Sequence, residues 1–241
     1  MMKAMSNFKL KDYRPYKLAF SRTGSHQFGG PVTHRGACPR RAKVPLHRLL
    51  SLDLRDKSCP IETTNPIRYL PLYFPLKYGQ GGPELQYTVI SDSKIKIIHL
   101  SDPKPDADES QYVRVAHLPE ASARLLPLKY QEARILGFLD ADAYFKPSRE
   151  DQNILDSLDA RNLIRIGGFQ PRIRKCRDVT CRNQRCEYFN RRVYFEVVAT
   201  IPPVAIMGVD DFWYEYRDTF VEFCFGLCRC CGTIIAFTNA D

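Results

Sequence analysis

The sequence predicts a β-rich α+β fold in which two related antiparallel β units are joined by a few helices. Runs of aromatic and aliphatic residues typical of strands recur in both halves of the chain, separated by glycine and proline turns. A Gly-Gly turn with proline close behind also occurs twice, at Gly29-Gly30 and Gly167-Gly168, and each copy precedes cysteine and a strand. This shared order predicts an internal duplication.

Four segments are expected along the chain of 241 residues, which is long enough to bury a substantial core. Residues 1–25 are polar, basic and weakly periodic, and this pattern predicts an irregular leader. The remaining segments are a first β-rich unit over 26–118, a helical connection over 119–160 and a second β-rich unit over 161–241.

In the first unit, Pro45–Leu54 alternates apolar and polar residues towards its end, as a half-buried strand does. Tyr69–Tyr78 and Leu85–Ile90 flank a glycine-rich turn and predict a hairpin, with a third strand over Ile95–Leu100. Pro71 and Pro75 place the first of these strands at a sheet edge or a bulge, because proline cannot donate a hydrogen bond to a central ladder.

The central segment predicts an exposed linker followed by helices. Residues 101–111 are acidic and contain proline, so they favour a loop. One helix is expected over Pro119–Leu126, extended by Lys129–Leu139, and another over Ser148–Ala160 with Ser148 as its N-cap. In the second unit, strands are expected over Val193–Ile201, Phe212–Tyr216, Thr219–Phe225 and Thr233–Thr238.

Two cysteine pairs in the second unit predict a structural zinc site. They are Cys181-x4-Cys186 and Cys228-x2-Cys231, on either side of strand-like sequence. Tetrahedral zinc is commonly held by two such knuckles. Cys176 and Cys230 lie close enough in sequence to substitute for Cys181 and Cys231 as ligands, so the choice within each pair stays open.

The alternative is that these cysteines are ordinary reduced thiols of a core or, less in keeping with the strand-like sequence after Cys231, a redox pair. Cys224 alternates with apolar residues and is interpreted as a buried small hydrophobe. The nine cysteines are odd in number and clustered, no stretch reaches eighteen apolar residues, and the start of the chain does not resemble a signal peptide. A cytoplasmic protein without a transmembrane helix is therefore expected.

The net charge of +9 is unevenly distributed. Residues 1–57 hold 13 basic residues against 3 acidic ones, residues 58–160 hold 11 against 15, and residues 161–241 hold 12 against 9. The basic arm and the basic stretch Arg161–Arg192 suit an anionic partner, including nucleic acid, and Phe169, Tyr188 and Phe189 are candidates for stacking on bases. A solvated cationic surface without such a partner is the simpler interpretation.

No catalytic constellation stands out. Asp140, Asp142, Asp210 and Asp211 have the chemistry to hold Mg²⁺ or exchange protons, but their surroundings favour solvated loops. Cys38 lies near His34 and His47 in sequence, without a third group to orient such a pair. The sequence therefore indicates a non-enzymatic protein.

Several motifs together resemble the YwqG-like (DUF1963) family. In the first half these are FGGP, PLHRLLSLDL, LPLYFPLKYG and LQYTVI; in the second half they are RIGGFQPRIR, the Cys181/Cys186 knuckle, VYFEVVATI and VEFCFGLCRCCGTI. The family's usual tryptophan and glutamine are replaced by Arg172 and Ser51. The resemblance implies a duplicated β-rich fold without established enzyme activity and a protein partner, such as a toxin met by an immunity protein. Nucleic-acid binding through the basic arm and knuckle region is the alternative.

Overall fold

In the residues that it describes, the computed structural model of the chain is β-rich, with two α-helices, a short 3-10 helix over Ala160–Asn162 and one large antiparallel sheet. It describes the chain except residues 1–7, 12–13, 38–45, 64, 78–81, 103–116, 142–144, 169–178, 193–194, 203–220 and 241. The first strands are β1 (Phe8–Leu10), β2 (Tyr16–Phe20), β3 (His26–Gly30), β4 (His47–Asp53), β5 (Ile61–Thr63), β6 (Tyr69–Phe74), β7 (Leu85–Ser91) and β8 (Lys94–Leu100). They are followed by β9 (Leu118–Pro127), α1 (Tyr130–Ala141), α2 (Arg149–Leu158), β10 (Arg165–Ile166), β11 (Phe195–Ile201), β12 (Val221–Cys228) and β13 (Ile234–Ala240).

Eleven strands form one sheet in the order β6-β4-β3-β9-β2-β10-β11-β12-β13-β7-β8. Strands β1 and β5 form a separate antiparallel pair. Outward from the central β9–β2 pair, β3 and β4 follow on one side, and β10 and β11 follow on the other. The two predicted β units therefore share one sheet; their duplication stays a prediction.

The centre of the sheet corrects two predictions. Residues 1–25 were expected to be irregular, but β2 pairs with both β9 and β10. Pro119–Leu126 was expected to be helical, but it lies in β9, where Ala123 and Leu125 are buried and Arg124 between them is exposed. Pairing with β2 and β3 on both sides outweighs the modest helix propensity of this segment, because a central strand gains two ladders of hydrogen bonds.

The first predicted hairpin is also wrong in its pairing. Strand β6 pairs with β4, whereas β7 pairs with β8 and with β13 from the end of the chain. The proline-based prediction for β6 is confirmed, because β6 lies at an edge of the sheet. Strand β4 is present as predicted, but it is buried along its whole length rather than on one face.

The two helices after β9 confirm the helices predicted over Lys129–Leu139 and Ser148–Ala160. Helix α1 covers the region of Lys129–Leu139 as a helix of its own. Helix α2 begins after Ser148, whose hydroxyl accepts from the Asp151 backbone N–H while the Asp151 carboxylate accepts from the Ser148 backbone N–H. The two helices pack around an apolar cluster that includes Ile135 and Leu155.

Both Gly-Gly turns have the backbone geometry that the sequence predicts. Gly29 and Gly30 have φ values of 64° and 82°, and Gly167 and Gly168 have values of 69° and 97°. These left-handed conformations strongly favour glycine. At Gly29 a side chain would also meet the carbonyl oxygen of Pro119. The first turn therefore lets β3 bulge while it stays paired with β9.

Candidate metal centre

The second knuckle is the turn that joins β12 to β13. Cys228 is the last residue of β12, and its backbone N–H donates to the Thr233 carbonyl at 2.9 Å. Gly232 has a φ of 68° and donates its N–H to the Cys228 carbonyl at 2.9 Å. The tight turn brings Cys231 back beside Cys228, so a rigid hairpin positions both thiols.

The first knuckle is a loop closed on itself between residues 179 and 192. The Cys186 N–H donates to the Asn183 carbonyl at 2.8 Å, and the Asn190 N–H donates to the Cys181 carbonyl at 2.9 Å. Asn190 has a φ of 56°, a left-handed conformation that asparagine tolerates better than most residues. These bonds place Cys181 and Cys186 on the side of the loop that faces the hairpin.

The four cysteine sulfurs of the two knuckles, Cys181, Cys186, Cys228 and Cys231, all lie within 4.8 Å of one another. The Sγ atoms of Cys181 and Cys231 are 3.6 Å apart, and those of Cys186 and Cys228 are 3.8 Å apart. In a tetrahedral site with metal–sulfur bonds of about 2.3 Å, sulfurs stand about 3.8 Å apart. The arrangement is therefore compatible with one metal ion, and all four are free cysteines.

Each of the four sulfurs also accepts a hydrogen bond from a backbone N–H. The Tyr188 N–H donates to the Cys186 sulfur at 3.4 Å. The donor–acceptor pairs are Asn183 with Cys181, Tyr188 with Cys186, Cys231 with Cys228, and Thr233 with Cys231. Amide donors stabilise negative charge on sulfur, so both knuckles are built to hold thiolates.

The four thiols of the cluster influence one another's pKa values. Hydrogen bonds from the Cys181 and Cys228 thiols lower the pKa of Cys231 to about 2, although burial opposes this effect. Donating to Cys228 and Cys231 raises the pKa of Cys181, and burial raises the pKa of Cys186. A metal ion that binds all four sulfurs as thiolates would have to displace their protons.

Three further side chains hold the two knuckles together. The Asn183 amide donates to the Thr233 hydroxyl at 3.0 Å, and this hydroxyl lies 3.1 Å from the Cys231 sulfur. Gln86 on β7 is fully buried; its amide donates to the Thr180 carbonyl at 2.7 Å, and its oxygen accepts from the Arg182 N–H at 2.8 Å. Gln86 therefore binds the first knuckle to the sheet much as a neighbouring strand would.

The predicted ligands Cys181, Cys186, Cys228 and Cys231 are thus brought together. Cys230 lies in the same turn but is outside the group of four, and Cys176 lies outside the described residues. Cys224 packs with apolar residues such as Val179 and Ile235, which confirms the prediction that it is a buried hydrophobe. The sequence patterns did not indicate Gln86, because it precedes the first knuckle by nearly a hundred residues. Thr233 could have been recognised as a neighbour of the cluster, because it lies two residues after Cys231.

The catalytic alternatives gain no support from the described part of the chain. There, the cysteine cluster is the only group of three or more side chains that could hold a metal ion. Asp140 lies in α1, whereas Asp142, Asp210, Asp211 and Cys38 fall outside the described residues.

The histidines near these positions are built into the core. Burial lowers the pKa of His34, whose Nδ1 lies 2.8 Å from the Tyr73 hydroxyl. Burial likewise lowers the pKa of His26, whose Nδ1 accepts from the Asp53 N–H at 3.0 Å. His47 is fully buried in β4. All three side chains are thus buried.

Comparisons with protein-family models, curated proteins and solved structures find no match. Among the described residues, no helix has the length and apolar character needed to cross a membrane.

Proposed function

We propose that the four-cysteine cluster holds one structural Zn²⁺ and that the protein is a non-enzymatic binding protein. The observation that carries the proposal is the closed cluster, in which four sulfurs from two knuckles lie within 4.8 Å of one another. Four protein ligands complete a tetrahedral zinc shell, whereas catalytic zinc keeps one position for water or substrate.

The donor set supports zinc as the metal. Four thiolates in tetrahedral geometry are typical of zinc or of iron–sulfur proteins. Backbone amides directed at all four sulfurs would offset the excess negative charge of a tetrathiolate zinc site. A cluster of reduced thiols also supports the cytoplasmic location expected from the sequence.

In this proposal the zinc ion joins parts of the chain that are far apart in sequence. Cys186 and Cys228 are separated by 42 positions, and their sulfurs meet at 3.8 Å. The ion would fix the first knuckle against the β12–β13 hairpin, where Gln86 and Asn183 already hold it. Its role is to stabilise the fold and the surface of the first knuckle.

The nature of the partner is a separate question. A protein partner, including a toxin, follows from the YwqG-like resemblance and from the acidic segment 101–111, of which residues 103–111 lie outside the described part. The resemblance also includes a duplicated fold. What supports a duplication is the strand order, in which β3 and β4 lie on one side of the β9–β2 pair and β10 and β11 lie on the other.

Cobalt substitution tests the structural role of the metal. The zinc of the purified protein is exchanged for Co²⁺, and the visible spectrum is recorded before and after addition of azide. A tetrathiolate site predicts intense absorption of tetrahedral Co²⁺ that azide leaves unchanged, because no coordination position is open. A spectrum that azide shifts would indicate an open, catalytic type of site and would overturn the proposal, as would failure to bind one Co²⁺ per chain.

A further inference from the structure

The first knuckle exposes basic and aromatic side chains together. Tyr188 is 44% exposed and Phe189 is 39% exposed, although large apolar side chains usually lie inside. Four exposed arginines accompany them, and Glu187 is the one exposed acidic residue between Cys181 and Arg192. We refer to these side chains as the knuckle surface: Arg182, Arg185, Tyr188, Phe189, Arg191 and Arg192.

The backbone of the loop holds this surface in a fixed arrangement. Cys181 bridges to Phe189 and Thr180 bridges to Arg192, so the two ends of the loop lie side by side. The Arg182 guanidinium donates to the Asn190 side-chain oxygen at 2.9 Å, which holds this cation against the residue that follows Phe189 in the chain. The surface is thus ordered before a partner arrives, which lowers the entropy cost of binding.

We propose that the knuckle surface binds single-stranded nucleic acid. Arginines neutralise phosphates, and exposed aromatic rings stack on bases. A single strand is required because the base faces are covered in a duplex and become accessible to aromatic side chains only when the bases are unstacked. An acidic peptide would explain the arginines but not Tyr188 and Phe189. The proposal rests on the zinc centre only in so far as the metal keeps the loop folded.

The charge sets the expected salt dependence. If the four arginines each contact one phosphate, the logarithm of the binding constant falls with the logarithm of salt concentration with a slope of about −3. Binding then weakens about 50-fold between 50 and 200 mM salt. Truncating one aromatic residue removes a stack and lowers the affinity by about 5- to 100-fold at constant salt.

Fluorescence anisotropy with the full-length, zinc-loaded protein tests the proposal. The probes are labelled twelve-nucleotide oligo(U) and oligo(dT), which separate RNA from DNA, and a duplex of the same length. The test variants are Tyr188→Ala, Phe189→Ala and Arg185→Ala. Tyr130→Ala and Arg124→Ala are matched controls, because Tyr130 is 83% exposed on α1 and Arg124 is exposed on β9, four strands from β12.

The proposal predicts that both single strands bind with this salt slope, that the duplex binds more weakly, and that only the three knuckle variants lose affinity. Tyr188→Phe should keep the affinity, because the ring is retained. No binding at 50 mM salt, or a loss that is equal in knuckle and control variants, would overturn it. Binding of an oligo-glutamate peptide with the same affinity, insensitive to Tyr188→Ala, would also overturn it in favour of an acidic protein.

Zinc content separates this proposal from the preceding one. The Ala variants keep the backbone groups that bond to the cysteines, so each should retain the zinc of the unaltered protein. A variant that retains zinc but loses nucleic acid tests the surface alone. If the unaltered protein holds zinc and binds no strand, the surface proposal is wrong and the metal proposal stands.

Discussion

Replacing Gln86 by methionine tests how the first knuckle is attached to the sheet. The methionine side chain has nearly the same length and volume, so the fully buried position stays filled. The change removes the bond to the Thr180 carbonyl at 2.7 Å, the bond to the Glu84 carboxylate and the bond from the Arg182 N–H at 2.8 Å. The effect therefore reports the hydrogen bonds and not a cavity.

The expected loss follows from the two backbone groups left without Gln86. An unpaired buried group costs about 1–3 kcal/mol. Thr180 is only half-buried and Arg182 is exposed, so water restores part of each bond and the low end of the range applies. The free energy of unfolding should fall by about 2–3 kcal/mol. If zinc binding requires the docked knuckle, zinc affinity should fall by up to about 100-fold.

Two assays measure these losses: urea unfolding followed by circular dichroism, and competition for zinc with a chromophoric chelator. Gln152→Met is the matched control, because Gln152 is exposed on α2 and donates only to the Asp156 carboxylate one turn away. The control should change stability by less than about 0.5 kcal/mol. If Gln86→Met behaves like the control in both assays, the attachment through Gln86 is refuted.

Three further predictions concern the fold. Gly24→Ala should lower the free energy of unfolding by about 1–3 kcal/mol, because the new Cβ would lie 2.0 Å from the Ala123 carbonyl oxygen; an unchanged urea midpoint would contradict the packing described. Ser148→Ala should cost about 1 kcal/mol in the same assay through loss of the α2 cap, and a neutral result would show that the cap adds nothing. Burial lowers the pKa of His26, so the unfolded chain binds a proton more readily, and stability should fall as pH drops below about 6.5. His26→Asn keeps an acceptor for the Asp53 N–H and should reduce the loss of stability between pH 7 and pH 5; equal losses in both proteins would exclude this contribution.

Short-range patterns predicted the four-cysteine cluster. The spacing of Cys181 with Cys186 and of Cys228 with Cys231 is a local property, because each pair is closed by its own turn. The spacing could not choose between Cys230 and Cys231. That choice depends on the path of the hairpin, in which Gly232 returns its N–H to the Cys228 carbonyl and places Cys231 in the cluster.

Long-range pairing was beyond the sequence patterns. Leu118–Pro127 has the composition of a weak helix, and it becomes a strand because β2 and β3 flank it. Strand β7 pairs with β13, which lies about 150 residues further along the chain, instead of closing a hairpin with β6. That same pairing brings Gln86 on β7 to the first knuckle. Strand β13 is one strand of the hairpin against which the first knuckle packs.

The most direct test of the proposed zinc site is the metal content of protein purified without added metal. We expect one zinc per chain, with four thiols protected until a chelator is added. Cys186→Ser should lose the ion, whereas Cys230→Ser and Cys224→Ser should retain it, because neither residue belongs to the group of four. Protein that carries no metal and has nine thiols reacting independently of chelator would contradict the central claim.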